Sequence, residues 1–297
     1  MKKILLFLFI FFIIIINSIS FTGCNNNQLI KLYNIENKTI TNININDYLA
    51  GVLAGEMNNE WPLEALKAQC ILARTFTFEF LKNKQSKYQG ADISTDISEA
   101  QAYNKELINN KIRKAVNETD GLVIKHNNEL INAYFHSNSG GITDLATIGF
   151  NYTEENPNYI KSTTSPENNK NSENYNWEYT FYKSDILKAL SSIGVEVNTI
   201  TNVSIEEKSN TGRVITIKIG DKTVNANTFR SALGTTKLKS TLITNIKVDS
   251  NNITFTGLGY GHGVGMSQWG AKLLADSGKD YTYILNYYFK NIQIVKN

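Results

Sequence analysis

In this 297-residue sequence, Glu56 is the side chain whose placement best suits acid–base chemistry. It follows D-Y-L-A-G-V-L-A-G, where Tyr48, Leu49, Val52, Leu53 and, one residue on, Met57 recur at the spacing of a buried helical stripe. Glu56 lies on that stripe, four residues after Val52 and three after Leu53. It also falls in the last turn, because Asn58 and Asn59 stop the helix and Pro62 opens the next one. Burial and the negative end of the helix dipole both disfavour a carboxylate, so the pKa of Glu56 should be raised. A carboxylic acid that stays protonated near neutral pH is what glycosidic cleavage requires of its proton donor. The competing reading is structural: a Glu56–Arg74 pair, with Arg74 on the apolar side of the second helix. Glu60, in the interhelix turn, should be solvated, and Glu64, just after Pro62, suits an ionised partner of the helix dipole.

Two further stretches carry polar groups at useful spacings. In F-H-S-N-S-G-G-I-T-D, Gly140 and Gly141 let backbone N–H groups face a ligand, and Ser137, Ser139 and Thr143 offer hydroxyls. A polar turn after a strand explains the same residues. In G-L-G-Y-G-H-G-V-G-M-S-Q-W-G-A, glycine occupies every second position from 257 to 265, so an extended backbone would have one bare face. Tyr260 and His262 would then project together from the other face. No Lys-Ser or Lys-Thr follows these glycines, which argues against a phosphate loop. The three histidines, His126, His136 and His262, show no clustered ligand spacing; a zinc site joining His136, His262 and Cys70 needs them to meet in space.

These groups must be positioned by a chain that alternates helical and strand blocks without regular βαβ spacing, which predicts an α+β fold of helices and antiparallel strands. The hairpin from Asp47 to Leu81 is its centre, with Leu63, Leu66, Cys70, Ala73, Thr77 and Leu81 as the stripe of the second helix. A helix is expected from about Lys105 to Asn117, and a β-hairpin around His126-Asn127-Asn128. Residues 150–176 read as a long surface loop, a lid or groove wall. Strands are expected at 177–181, 203–207, 214–219, 222–225, 242–248 and 253–256, with helices at 183–193 and 225–233. One catalytic unit, residues 46–297, would follow a tether and first strand at 24–45. Residues 1–23, two lysines and a long apolar run, read as an export signal or membrane anchor, and Gly23-Cys24 as the end of a lipoprotein box. The folded part would then work outside the cytoplasm. A net charge of +3, with no basic run interleaved with aromatics, argues against nucleic acid as a partner.

Taken in order, D-Y-L-A-G-V-L-A-G-E-M, W-P-L-E-A-L-K-A-Q-C-I-L-A-R-T, Q-A-Y, Y-F-H-S-N-S-G-G-I-T, Y-I-K-S-T-T-S-P and G-Y-G-H-G-V-G-M-S-Q-W-G-A resemble the stage II sporulation protein D family, which includes amidase enhancers. The resemblance implies a membrane-anchored lytic transglycosylase that trims peptidoglycan glycan strands, preferably denuded of stem peptides, during forespore engulfment beside other wall hydrolases. It places the family's catalytic glutamate on Glu56. The same carboxyl group would protonate the glycosidic oxygen and then deprotonate the muramyl C6 hydroxyl, so that no second carboxylate is required. Arg74, Gln101, Tyr103, His136, Ser137, Ser139, Gly140, Tyr260, His262, Ser267 and Gln268 are the residues expected to line the groove and bond sugars. Zinc is associated with some members, but no Cys stands beside His136 here, so no metal and no cofactor is expected. A non-catalytic wall binder and a water-using muramidase remain the alternatives.

Overall fold

A computed structural model describes residues 28–150, 152 and 154–297. The expected anchor and Cys24 lie outside the described residues. Among those described, no helix is long and apolar enough to cross a membrane.

The chain opens with an antiparallel hairpin, β1 (Leu29–Asn34) and β2 (Thr39–Asn44). This corrects the expectation of a tether with one strand. Ile30 and Leu32 alternate inward, so the segment has a buried face and is part of the fold. Helix α1 (Ile45–Glu56) begins where the Asn44 side chain accepts the Asn46 N–H, and α2 (Leu63–Asn83) follows the Pro62 turn. The short strand β3 (Ile93–Ser94) adds to β1 in parallel, and this sheet packs on one side of the helical hairpin through Ile30, Leu32, Tyr48, Leu49 and Val52. The stripe expected on α1 is buried throughout.

On the other side of the hairpin, Leu53, Met57, Leu66, Cys70 and Ile71 join a larger core. To it α3 (Asn110–Glu118), β4 (Leu122–His126), β6 (Phe135–His136) and the one-turn α4 (Ala146–Gly149) contribute, while β5 (Glu129–Leu130) pairs with β4 and places Leu130 on the first core. Helix α3 starts later than expected, since Lys105–Leu107 forms a separate 3-10 turn.

A third core is built by β7 (Asn176–Tyr182), α5 (Lys183–Ser192), β8 (Val203–Lys208), β9 (Val214–Ile219), β10 (Lys222–Asn225), α6 (Ala226–Leu233), β11 (Ile243–Val248) and β12 (Asn252–Leu258). These form two antiparallel three-stranded sheets, ordered β10-β9-β8 and β11-β12-β7, around Phe181, Ile186, Ile217, Phe229 and Phe255. The chain then returns to the larger core through β13 (Met266–Ser267), which pairs in parallel with β6. Helices α7 (Gln268–Asp276) and α8 (Tyr281–Tyr288) and strand β14 (Gln293–Lys296) complete it, β14 pairing with β4. The architecture is α+β.

Candidate active site around Glu56

Glu56 is the last residue of α1 and is half-buried. Its Oε1 accepts the Ala102 N–H at 2.7 Å. That contact depends on glycine. A methyl group at Gly51 would sit 2.2 Å from the Tyr103 ring, and one at Gly55 would sit 2.7 Å from the Tyr103 nitrogen. Because Gly51 and Gly55 are one turn apart, residues 101–104 can lie directly on the helix, fixed also by the Asn104 N–H on the Gly51 carbonyl at 2.9 Å. The Tyr103 ring stacks beside Tyr48, centroids 5.9 Å apart.

Burial raises the pKa of Glu56, and the Ala102 N–H and the Gln268 amide oppose that rise only in part. Gln268 is a neighbour rather than a bonded partner, for its Nε2 has no hydrogen bond in the structure. Among the described residues, no cation contributes to the Glu56 environment. The alternative pairing with Arg74 is therefore not formed. Arg74 is fully buried, and its Nη1 donates to the Thr119 and Leu122 carbonyls and its Nη2 to the Val116 carbonyl and Cys70 Sγ. It caps the C-terminal end of α3, where orphan carbonyls need donors, and has no surface for a sugar. This corrects its assignment to the groove.

Gln268 stands at the start of α7, whose N-cap Ser267 accepts the Gly270 N–H. The next residue, Trp269, meets Trp61 of the interhelix turn edge-on at 4.8 Å. Trp61, Trp269 and Tyr103 are all partly exposed. The two tryptophans carried no spacing signal, because their contact spans more than two hundred residues.

The other expected residues divide. His136 and His262 do meet, ring centroids 5.4 Å apart, together with Phe150. The His262 Nδ1 accepts the Val264 N–H, so its Nε2–H donates to the Phe135 carbonyl. Burial holds His262 down at about 3, and holds His136 well below the usual imidazole range. Both are neutral rings at physiological pH. His136 Nδ1 faces the Val264 carbonyl and Cys70 contacts Arg74, which leaves one imidazole nitrogen, His136 Nε2, without a partner. A zinc set of His136, His262 and Cys70 does not fit these contacts. Among the described residues no group of three metal-ligating side chains comes together.

Ser139, Ser267 and Gln101 are buried, and Gly140 packs against Leu242 and Leu258. Gln101 Nε2 reaches the Ala73 carbonyl and Thr77. Ser137 and Tyr260 keep partial exposure; Tyr260 bridges to Asn138 and carries Lys239 over its ring at 5.4 Å. The glycine run is not an extended strand with a bare face. Its glycines from 259 to 265 have positive φ, so the backbone kinks at every second residue. Gly263 also makes room for the Arg213 guanidinium, which would lie 2.2 Å from an added methyl.

The 150–176 stretch is not all surface. Glu167 is 2% exposed and takes four donors: Ser139 N–H at 2.8 Å, Ser139 Oγ at 2.5 Å and Ser267 Oγ at 2.6 Å on Oε1, and Ser165 Oγ on Oε2. Sequence reading missed it because no periodicity marks a buried loop.

Glu56 thus stands half-buried at the end of the first helix of the hairpin, with one backbone N–H on its carboxyl and a pKa raised by burial. Comparison with known proteins gives the family. Residues 33–126 match the family model described as Stage II sporulation protein, and residues 135–265 match one described as Domain of unknown function (DUF8618). The chain is 32% identical to stage II sporulation protein D of Bacillus subtilis, over 89% of this chain and 78% of that protein. It is 33% identical to an uncharacterised protein of Brachyspira hyodysenteriae, over 89% and 70%. It is also 30% identical to the amidase enhancer of Bacillus subtilis, over 81% of this chain but 39% of that protein. The chain belongs to the stage II sporulation protein D family.

Proposed function

We propose that this protein is a lytic transglycosylase of peptidoglycan, acting outside the cytoplasm on glycan strands, preferably denuded ones, during forespore engulfment. The observation that carries this reading is Glu56: a half-buried carboxyl with a raised pKa, no cationic partner and a backbone N–H on one oxygen. Protonated Glu56 gives its proton to the oxygen linking N-acetylmuramic acid to N-acetylglucosamine, and the C1–O bond breaks. The resulting carboxylate accepts the proton of the muramyl C6 hydroxyl as that oxygen bonds to C1. Water is not consumed, and the enzyme ends with its proton restored. The Ala102 N–H steadies the ionised intermediate form of Glu56. Trp61, Trp269 and Tyr103 offer ring faces for sugars, and Ser137 and Tyr260 offer hydrogen bonds. Residues 1–23 as a signal anchor, or a lipid on Cys24, would tie it to the cell membrane.

The relation to an amidase enhancer supports a second reading, a non-catalytic wall binder that aids another hydrolase. Mass spectrometry of products from denuded glycan, with wild type beside Glu56→Gln, separates the two. Transglycosylation gives 1,6-anhydro ends that the variant loses by about 10²- to 10⁴-fold, the usual contribution of a general acid. A wild type that releases no anhydro ends sinks the proposal, and reducing ends would instead assign a muramidase.

A further inference from the structure

We propose that Glu167 is the positioning residue of this site: it fastens the start of α7 so that Gln268 is held against Glu56. The inference rests on the catalytic reading of Glu56.

The geometry is that of a hub. Ser139 follows β6, Ser165 lies in the loop that approaches α8, Ser267 caps α7 and Tyr288 ends α8; all converge on one carboxylate. Ser139 Oγ accepts the Gly141 N–H and Ser267 Oγ accepts the Gly270 N–H, so both hydroxyl protons are free to point at Glu167. Ser165 also donates to Glu167, which makes the Tyr288 hydroxyl, 2.6 Å away, the donor to Ser165. Four donors converge on the group, an arrangement that suits a carboxyl oxygen pair as acceptor. Space is reserved for it: a methyl on Gly270 would lie 1.9 Å from the Tyr288 hydroxyl and 2.8 Å from Glu167 Oε2. A buried anion with no ion pair is costly unless it is fully bonded, so the hub resists displacement.

What the hub fixes is the residue next to Ser267. Gln268 has no hydrogen bond from its Nε2, so nothing in its own contacts sets that amide against Glu56. Its placement comes through the backbone of the capped helix start. The groups around the pair are few. Glu56 faces the Ala102 N–H, the Gln268 amide and the Tyr48 phenol, and Glu167 acts on Arg213, Tyr287 and Tyr288. Loosening Gln268 removes a group that favours ionised Glu56, so the Glu56 pKa rises further.

The test is titration of the Glu56 side-chain carboxyl by carbon-13 NMR in wild type, Glu167→Gln, Gln268→Ala and the double variant. The expected result is an upward shift of the Glu56 midpoint in both single variants, with no further shift in the double one. Anhydro release should fall about 10- to 100-fold in kcat with KM little changed, as for misplacement of a catalytic group. Should Glu167→Gln not fold, Ser267→Ala breaks only the link to α7 and should shift the midpoint in the same direction. A folded variant with the wild-type midpoint, or shifts that add fully, overturns the proposal. Because the titration needs no turnover, a wild type without anhydro release would sink the catalytic reading and still leave the positioning role decided by the midpoints.

Discussion

Burial raises the pKa of Glu56 at the point where helix α1 runs out, and two pH effects follow. Cleavage requires the proton, so the rate should hold up beyond the ordinary carboxylate range and fall as pH rises through the raised pKa of Glu56. Stability has the same sign. Between the ordinary and the raised pKa the native state binds more protons than the unfolded one, so stability falls as pH rises there. Glu56→Gln, which cannot ionise, should melt at a higher temperature than wild type at pH values above the raised pKa. The difference should vanish below the unfolded carboxylate pKa, and scanning calorimetry at both pH values checks it. The histidines behave otherwise: His262, depressed to about 3 and bonded at both nitrogens, should contribute no step to the rate profile near pH 6 to 7. A His262-dependent limb in that range would contradict the hydrogen-bond assignment.

At the scale of elements, the helical hairpin was legible and its lining was not. Tyr48, Leu49, Val52, Leu53 and Met57 gave the stripe, and the Asn58-Asn59 stop placed Glu56 at its end, as the structure has it. The same ten residues held a second pattern, Gly51 and Gly55, that apolar periodicity overlooks because it scores side chains, not their absence. Gly55→Ala should push residues 102–103 off the helix, as overpacking does, at a cost of about 1–3 kcal/mol, and should withdraw the Ala102 N–H from Glu56. Chemical denaturation and loss of anhydro release measure the two effects. Arg74 shows the opposite failure. Its place on the apolar face was read correctly, yet only a partner 42 to 48 residues away explains it. Arg74→Ala leaves several buried carbonyls bare and should cost about 1–3 kcal/mol or more, whereas the hydrogen bonds of Arg74→Lys cannot span them all.

Over the whole molecule, the strand and helix blocks between residues 176 and 258 were legible within a residue or two, because turn residues bound them and the longer strands alternate. How that region meets the rest was not, because the links are isolated polar groups. Asp144 takes Ser209 and Thr211, Asn227 reaches the Ile148 carbonyl at 2.6 Å, and Arg213 donates to the Ser139 carbonyl at 2.8 Å. Arg213 is fully buried, so Arg213→Ala should lower the midpoint of thermal unfolding, by the equivalent of about 1–3 kcal/mol for stranded carbonyls. A melt unchanged from wild type would show that this contact is idle.

The first and last strands of that region lie side by side, Asn176 opposite Leu258 in the register of β7 and β12. Chain therefore departs and comes back through one doorway, and a splice of a few residues could close it. Yet the departing piece would take the Arg213 guanidinium with it, leaving the notch beside Gly263 open to solvent. A pared-down version of this protein thus needs a plug at residue 263 as well as a shorter path.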